Sequence, residues 1–189
     1  MRPLPFVTAL AALGALVPLG ACSKSETAPT ATASDANRTL AAAISGAPGL
    51  TNVSTALSES GLADVFDGPG SYTVLAPDDD AFAKLSQGGT VLTDPAHRAE
   101  LVAILRGHIL PGHLTPDAIR QAIAEKKGPV SMRTLADGMV TFSADGNVLT
   151  ATGPDGAKAT VDGDPLVASN GVVLPIDGLL KTANTEKAS

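Results

Sequence analysis

The chain has 189 residues, of which 44% are hydrophobic, 17% charged and 3% aromatic, with one cysteine, no tryptophan and a formal net charge of −6. That length suits one domain with a true core, and 13 Lys+Arg against 19 Asp+Glu argue against nucleic acid, whose binding needs cations on phosphates. A lone cysteine excludes an intramolecular disulfide framework and every multi-cysteine metal pattern.

In chain order the first element is an export signal. Residues 1–21 carry Arg2 as their only charge and an aliphatic run from Pro5 to Leu19. About 15 residues are too few to cross a hydrocarbon core of roughly 30 Å as a helix, so the run reads as a signal peptide. It ends in Leu19-Gly20-Ala21-Cys22, which resembles the bacterial lipoprotein box. The resemblance implies cleavage before Cys22 and attachment to a membrane through acyl chains on that residue. With Ser23 following the cysteine, it also implies the outer membrane in a diderm host, and otherwise the outer face of the plasma membrane.

Residues 22–38 then read as the acylated cysteine and a flexible tether. Positions 23–38 hold no Val, Leu, Ile or aromatic residue and cannot bury enough apolar surface to offset their ordering entropy. Their typical reach is roughly 20–24 Å. Removal of residues 1–21 takes away Arg2 and no acid, leaving 12 basic and 19 acidic residues and a charge of −7. An anionic lipid surface repels such a body, so attachment falls to the acyl chains.

The folded unit is expected at 39–183, with a disordered tail at 184–189. Leu40, Ala43 and Ile44 lie on one face of a short helix, and Leu50 to Phe66 continue at helical spacing, broken by Gly61. A buried strand is predicted at 71–76, ended by Pro77. Asp78 is placed to cap a helix carrying Phe82 and Leu85 inward, with Asp79 and Asp80 in its first turn. Further helices start at Asp94-Pro95, with Leu101, Ile104 and Leu105 periodic, and at Thr115-Pro116, with Ile119 and Ile123. After Gly128 the period falls to 2, and strands are predicted near 130–135, 139–144, 147–152, 157–162, 165–168 and 172–177. Asp137-Gly138, Asp145-Gly146, Asp155-Gly156 and Asp162-Gly163 mark tight turns between them. Helices first and hairpins later describe an α+β domain whose sheet joins the early strand to the late ones.

Three ordered motifs then carry a family resemblance. Thr73-Val74-Leu75-Ala76-Pro77, followed by Ala81-Phe82, resembles the first signature box of the fasciclin domain. Asn170-Gly171-Val172-Val173-Leu174-Pro175-Ile176-Asp177 resembles the second, and Leu105-Arg106-Gly107-His108-Ile109-Leu110-Pro111-Gly112 resembles the segment between them. The resemblance covers residues 38 to 181. It implies a wedge-shaped β-sandwich of about seven strands with N-terminal helices packed at one edge. Two positions depart from the pattern: Gly107 stands where the family usually has tyrosine, and Leu174 where it usually has histidine. The tyrosine–histidine pair is linked to integrin recognition in animal members, so that mechanism is not carried over to Gly107-His108.

The resemblance implies a membrane-tethered, extracytoplasmic, non-enzymatic protein of adhesion or protein interaction, with no cofactor. Its candidate interaction surface is His108, Pro111 and His113. The alternative it implies is carriage of a small hydrophobic ligand such as a carotenoid, with Ile109, Leu110, Leu114 and Met139 as candidate cleft residues. His108 and His113 have no third metal ligand marked nearby, and Asp78 to Asp80 are explained by the helix start without calcium. No nucleophile elbow, zinc-protease, phosphate-loop or dinucleotide pattern occurs. The four aromatics after residue 22, Phe66, Tyr72, Phe82 and Phe142, offer few stacking platforms for sugars, which favours a protein or matrix partner.

Overall fold

The computed structural model describes residues 37–86 and 98–180. The export signal, Leu19, Gly20, Ala21 and Cys22, the tether up to residue 36, the helix start at Asp94-Pro95, the side chain of Leu85 and the tail at 184–189 lie outside the described residues.

Local chemistry sets the helix boundaries. Helix α1 (Leu40–Ser45) starts where the Thr39 hydroxyl accepts the Ala42 N–H at 3.3 Å. Helix α2 (Thr51–Ser60) ends at Gly61, whose φ of 75° is the left-handed conformation that glycine adopts without a Cβ penalty; α3 (Ala63–Phe66) follows at once. Strand β1 (Tyr72–Pro77) leads into α4 (Asp79–Ser86), capped by Asp78 Oδ1 on the Ala81 N–H at 2.6 Å. Helix α5 (Arg98–Gly107) is followed by the short strand β2 (Ile109–Pro111). Helix α6 (Pro116–Lys126) has Thr115 as its cap and Pro116 in its first turn.

The remaining strands are β3 (Val130–Arg133), β4 (Met139–Asp145), β5 (Val148–Thr152), β6 (Lys158–Thr160), β7 (Leu166–Ala168) and β8 (Gly171–Ile176). The described residues thus hold eight strands where about seven were expected. The addition is β2, whose three residues leave too little sequence to show a period. The meander also divides. Strands β3-β4-β5-β6 form one antiparallel sheet, whereas β7 and β8 join β1 and β2 in a second, ordered β2-β1-β8-β7. The chain changes sheets after β6, where Val161 bridges Ile176 and the Asp162 N–H donates to the Pro175 carbonyl at 3.0 Å.

At the centre of the second sheet β1 and β8 run parallel, with Tyr72 opposite Gly171 and Pro77 opposite Ile176. This pair joins the two signature boxes. Parallel strands in the middle of a sheet are covered on both faces and read as continuous apolar runs, as β1 and β8 do. One face packs Leu75, Leu110, Val172, Leu174 and Ile176 against Val140, Phe142, Leu149 and Ala151 of the antiparallel sheet. The other packs Val74, Ala76, Ile109, Ala168 and Val173 against Leu40, Ile44, Leu57, Phe66 and Leu105 of the helices. The result is three layers: helices, mixed sheet, antiparallel sheet. Leu174, the replacement for the family's histidine, is fully buried in the sheet-to-sheet core, where an aliphatic side chain needs no hydrogen-bond partner.

Candidate functional site

The segment between the boxes is fixed to β1 by one hydroxyl. Thr73 is fully buried; its Oγ1 donates to the Gly112 carbonyl at 2.8 Å and accepts the Leu114 N–H at 2.9 Å. The Gly112 N–H donates in turn to the Ser71 carbonyl at 2.9 Å. The turn after β2 is therefore stapled, and it holds Pro111 and His113 exposed on the surface.

His108 does not share that surface, which corrects the three-residue grouping. It is 2% exposed, at the junction where α5 passes into β2. The Leu180 N–H donates to its Nε2 at 3.0 Å, so Nε2 carries the lone pair and the proton sits on Nδ1, donating to the Ile104 carbonyl at 2.8 Å. Burial lowers its pKa from the ordinary 6.5, against a smaller raising effect of the Ile104 bond. With both nitrogens held by backbone, His108 has no atom left for acid–base chemistry or a metal. Its role is to join the end of α5 to the segment after β8.

The four candidate cleft residues also separate. Adjacent residues of a strand point to opposite faces, so Ile109 enters the helix-side core and Leu110 the sheet-to-sheet core. Leu114 packs partly buried against the latter, and Met139 is 43% exposed. They line no common cleft. Among the described residues, no three His, Cys, Asp or Glu side chains are placed to hold a metal ion, and no helix is long and apolar enough to cross a membrane.

Among the concavities that the described residues form, two bear on a candidate site. One, of about 250 Å³, is lined by Ala103, Gly107, His108, Thr134, Pro154 and Leu180. A Cβ at Gly107 would meet nothing within 4 Å, so the missing tyrosine leaves open space rather than a repacked core. The other, of about 440 Å³, lies between the α1–α2 loop, the end of β1 and the β6–β7 loop, and combines Leu50, Leu166 and Pro175 with Asp78, Asp162 and Asp164. Sequence reading missed it because its lining comes from segments far apart in the chain. It also missed the side chain of Asn170, read only as the first residue of the second box. Asn170 Oδ1 accepts the Leu40 N–H at 2.8 Å, and its Nδ2 donates to the Phe66 and Gly68 carbonyls, so one amide ties α1 and α3 to the start of β8.

Comparison with known proteins agrees with this architecture. The chain is 30% identical over 155 residues to human Stabilin-1, covering 81% of this chain and 6% of that protein. It is 32% identical over 151 residues to protein sll1483 of Synechocystis, covering 78% and 76%, and 32% identical over 127 residues to the pig transforming growth factor-beta-induced protein ig-h3, covering 66% and 16%. It thus spans most of the cyanobacterial relative and a small part of the two animal ones. A solved FAS1 domain pair from the insect cell adhesion molecule fasciclin I superposes with a TM-score of 0.63 at 16% identity, covering 78% of this chain and 52% of that one. The fasciclin domain model matches residues 48–182. The pairing of the two boxes as β1 and β8 and the match over residues 48–182 place this chain in the fasciclin domain family.

Proposed function

We propose that this chain is a non-enzymatic, extracytoplasmic interaction module, held at the cell envelope by acyl chains on Cys22 and mediating adhesion or protein contact there. The observation that carries the reading is the fasciclin match over 48–182. The backbone-bound state of both His108 nitrogens supports a structural rather than catalytic use of the most distinctive histidine. The lipoprotein-like box supports the tether, because two or three acyl chains hold a protein on a bilayer far more firmly than one.

The experiment compares cells expressing the native chain with cells expressing Cys22→Ala. The native protein stays in the washed membrane fraction and promotes cell–cell or cell–surface attachment, and the variant is recovered in soluble form without doing so. A Cys22→Ala protein that persists in washed membranes overturns the lipid tether. Protein purified from its native membrane should be colourless; a polyene absorption band would instead favour carriage of a carotenoid-like ligand.

A further inference from the structure

We propose that the cleft of about 440 Å³ at the carboxyl ends of β1 and β8 docks a basic, apolar segment of a protein partner: a Lys or Arg side chain flanked by aliphatic ones. This rests on the interaction reading and gives it a site and a partner chemistry.

The fold makes the cleft. Because β1 and β8 are parallel, both chains leave the sheet at the same edge, with Ala76 opposite Pro175. Strand β7 pairs with β8 only as far as Leu166 opposite Val173, so Pro175 lies beyond its end. There a residue without an N–H costs no ladder bond, and its ring forms the floor. Gly163 stands beside that ring with a φ of 92°, and a Cβ built on it would meet Pro175 carbons at 3.7 Å. That is ordinary contact, so it is the positive φ rather than lack of space that favours glycine beside the floor.

Nearby backbone groups already have partners. Asp78 N–H donates to the Ile176 carbonyl at 3.0 Å, Asp79 N–H to the Gly49 carbonyl at 2.9 Å, and Asp162 N–H to the Pro175 carbonyl. An added strand gains little here, and what the cleft offers is apolar area from Leu50, Leu166 and Pro175 together with carboxylates. Among the described residues the Asp162 and Asp164 side chains make no hydrogen bond or ion pair. The positive end of α4 is met by Asp78, Asp79 and Asp80, so it does not neutralise the rim.

These features select the occupant. A long basic side chain lays its methylenes on apolar surface and keeps its charge at the rim, and the chain's net charge of −6 draws a basic partner and repels an acidic one. A bare cation would gain nothing from Leu50, Leu166 or Pro175. The volume lies in the range of about 300–1,000 Å³ that ordinarily takes a compact ligand.

The test uses the full chain in nonionic detergent and a fluorescent Leu-Arg-Leu-Arg-Leu peptide, with Leu-Glu-Leu-Glu-Leu as control, read by anisotropy. The basic peptide should bind and the acidic one should not. D162N/D164N should weaken binding roughly threefold to tenfold with an unchanged thermal midpoint, and raising ionic strength from about 0.05 M to about 0.5 M should weaken it as well. Equal binding of the two peptides, or no effect of D162N/D164N, overturns the proposal. So does a dimer that forms through this face in place of peptide binding, or calcium that binds there and displaces the peptide. Failure here is separable from failure of the adhesion reading: if the native chain promotes attachment and D162N/D164N attaches equally well, adhesion stands and this cleft is not its site.

Discussion

His108 is held in one tautomer by two backbone groups, and that makes it sensitive to acid. Protonating Nε2 would set an N–H against the Leu180 N–H and place a charge where no solvent reaches. Its folded pKa lies below the ordinary 6.5, so its contribution to stability is fully present above 6.5 and is lost as pH falls from there through the folded pKa. The native chain should therefore show a lower urea midpoint at pH 5 than at pH 7.5, and His108→Gln should reduce the difference; an equal slope in both proteins would contradict the assignment. Asn170 is the second residue whose role is tertiary. Asn170→Ala removes one acceptor and two donor contacts and should cost about 2–4 kcal/mol in urea unfolding. Asn170→Asp keeps the acceptor for Leu40 but turns a carboxylate toward two carbonyls, and should not restore stability. Neither role was visible in the sequence, because a hydrogen-bond partner 72 positions away for His108, or 104 and 130 for Asn170, leaves no local pattern.

Three helix starts were legible because a cap is local: Thr39, Asp78 and Thr115 each accept a backbone N–H three residues on. Helix ends were less so. The change of period at Gly128 marks the close of α6, yet the left-handed residue is Lys127, with a φ of 55°, its N–H on the Ala124 carbonyl and that of Gly128 on the Ile123 carbonyl. Both ends invite substitutions of opposite kind. At Gly107, the last residue of α5, a Cβ meets open space, so Gly107→Ala should raise stability by about 0.5–1 kcal/mol. Lys127→Gly relieves a left-handed Cβ penalty and should raise it by a similar amount, about 0.5–1 kcal/mol. Thermal or urea midpoints check both, and a fall in either would mean that the native residue makes a contact the geometry does not show.

At the scale of the whole molecule the parallel β1–β8 pair is the keystone, since it is covered by helices on one side and the antiparallel sheet on the other. Native-state hydrogen exchange should find the Val74, Leu75, Val173 and Leu174 amides among the slowest, and the amides of the short strand β6 faster. Comparable protection in β6 and β8 would mean that the two sheets open as one unit. The candidate site was only half legible at this scale. His108, Pro111 and His113 are neighbours in sequence, but the passage from helix to strand at His108 turns it inward, while Thr73 staples the other two outward. The acidic cleft has the converse character. Asp78 lies at one signature box, Pro175 in the other, and Asp162 in the segment that changes sheets, so no window of sequence contains it.

The sequence by itself determined the α+β class, the helix starts at Thr39, Asp78 and Thr115, the turns at Asp137-Gly138, Asp145-Gly146 and Asp155-Gly156, the family and the position of the lone cysteine after an export-like run. Each of these is written in residues a few positions apart. Tertiary structure alone decided that the strand meander divides between two sheets, that His108 is a core residue with both nitrogens bound, that the aliphatic candidates belong to separate cores, and that three aspartates meet proline and leucine in one cleft. Those outcomes depend on which faces are buried against one another, and burial is a property of the packed chain: the same Leu or His side chain serves as wall, floor or surface according to what the distant strand brings to it.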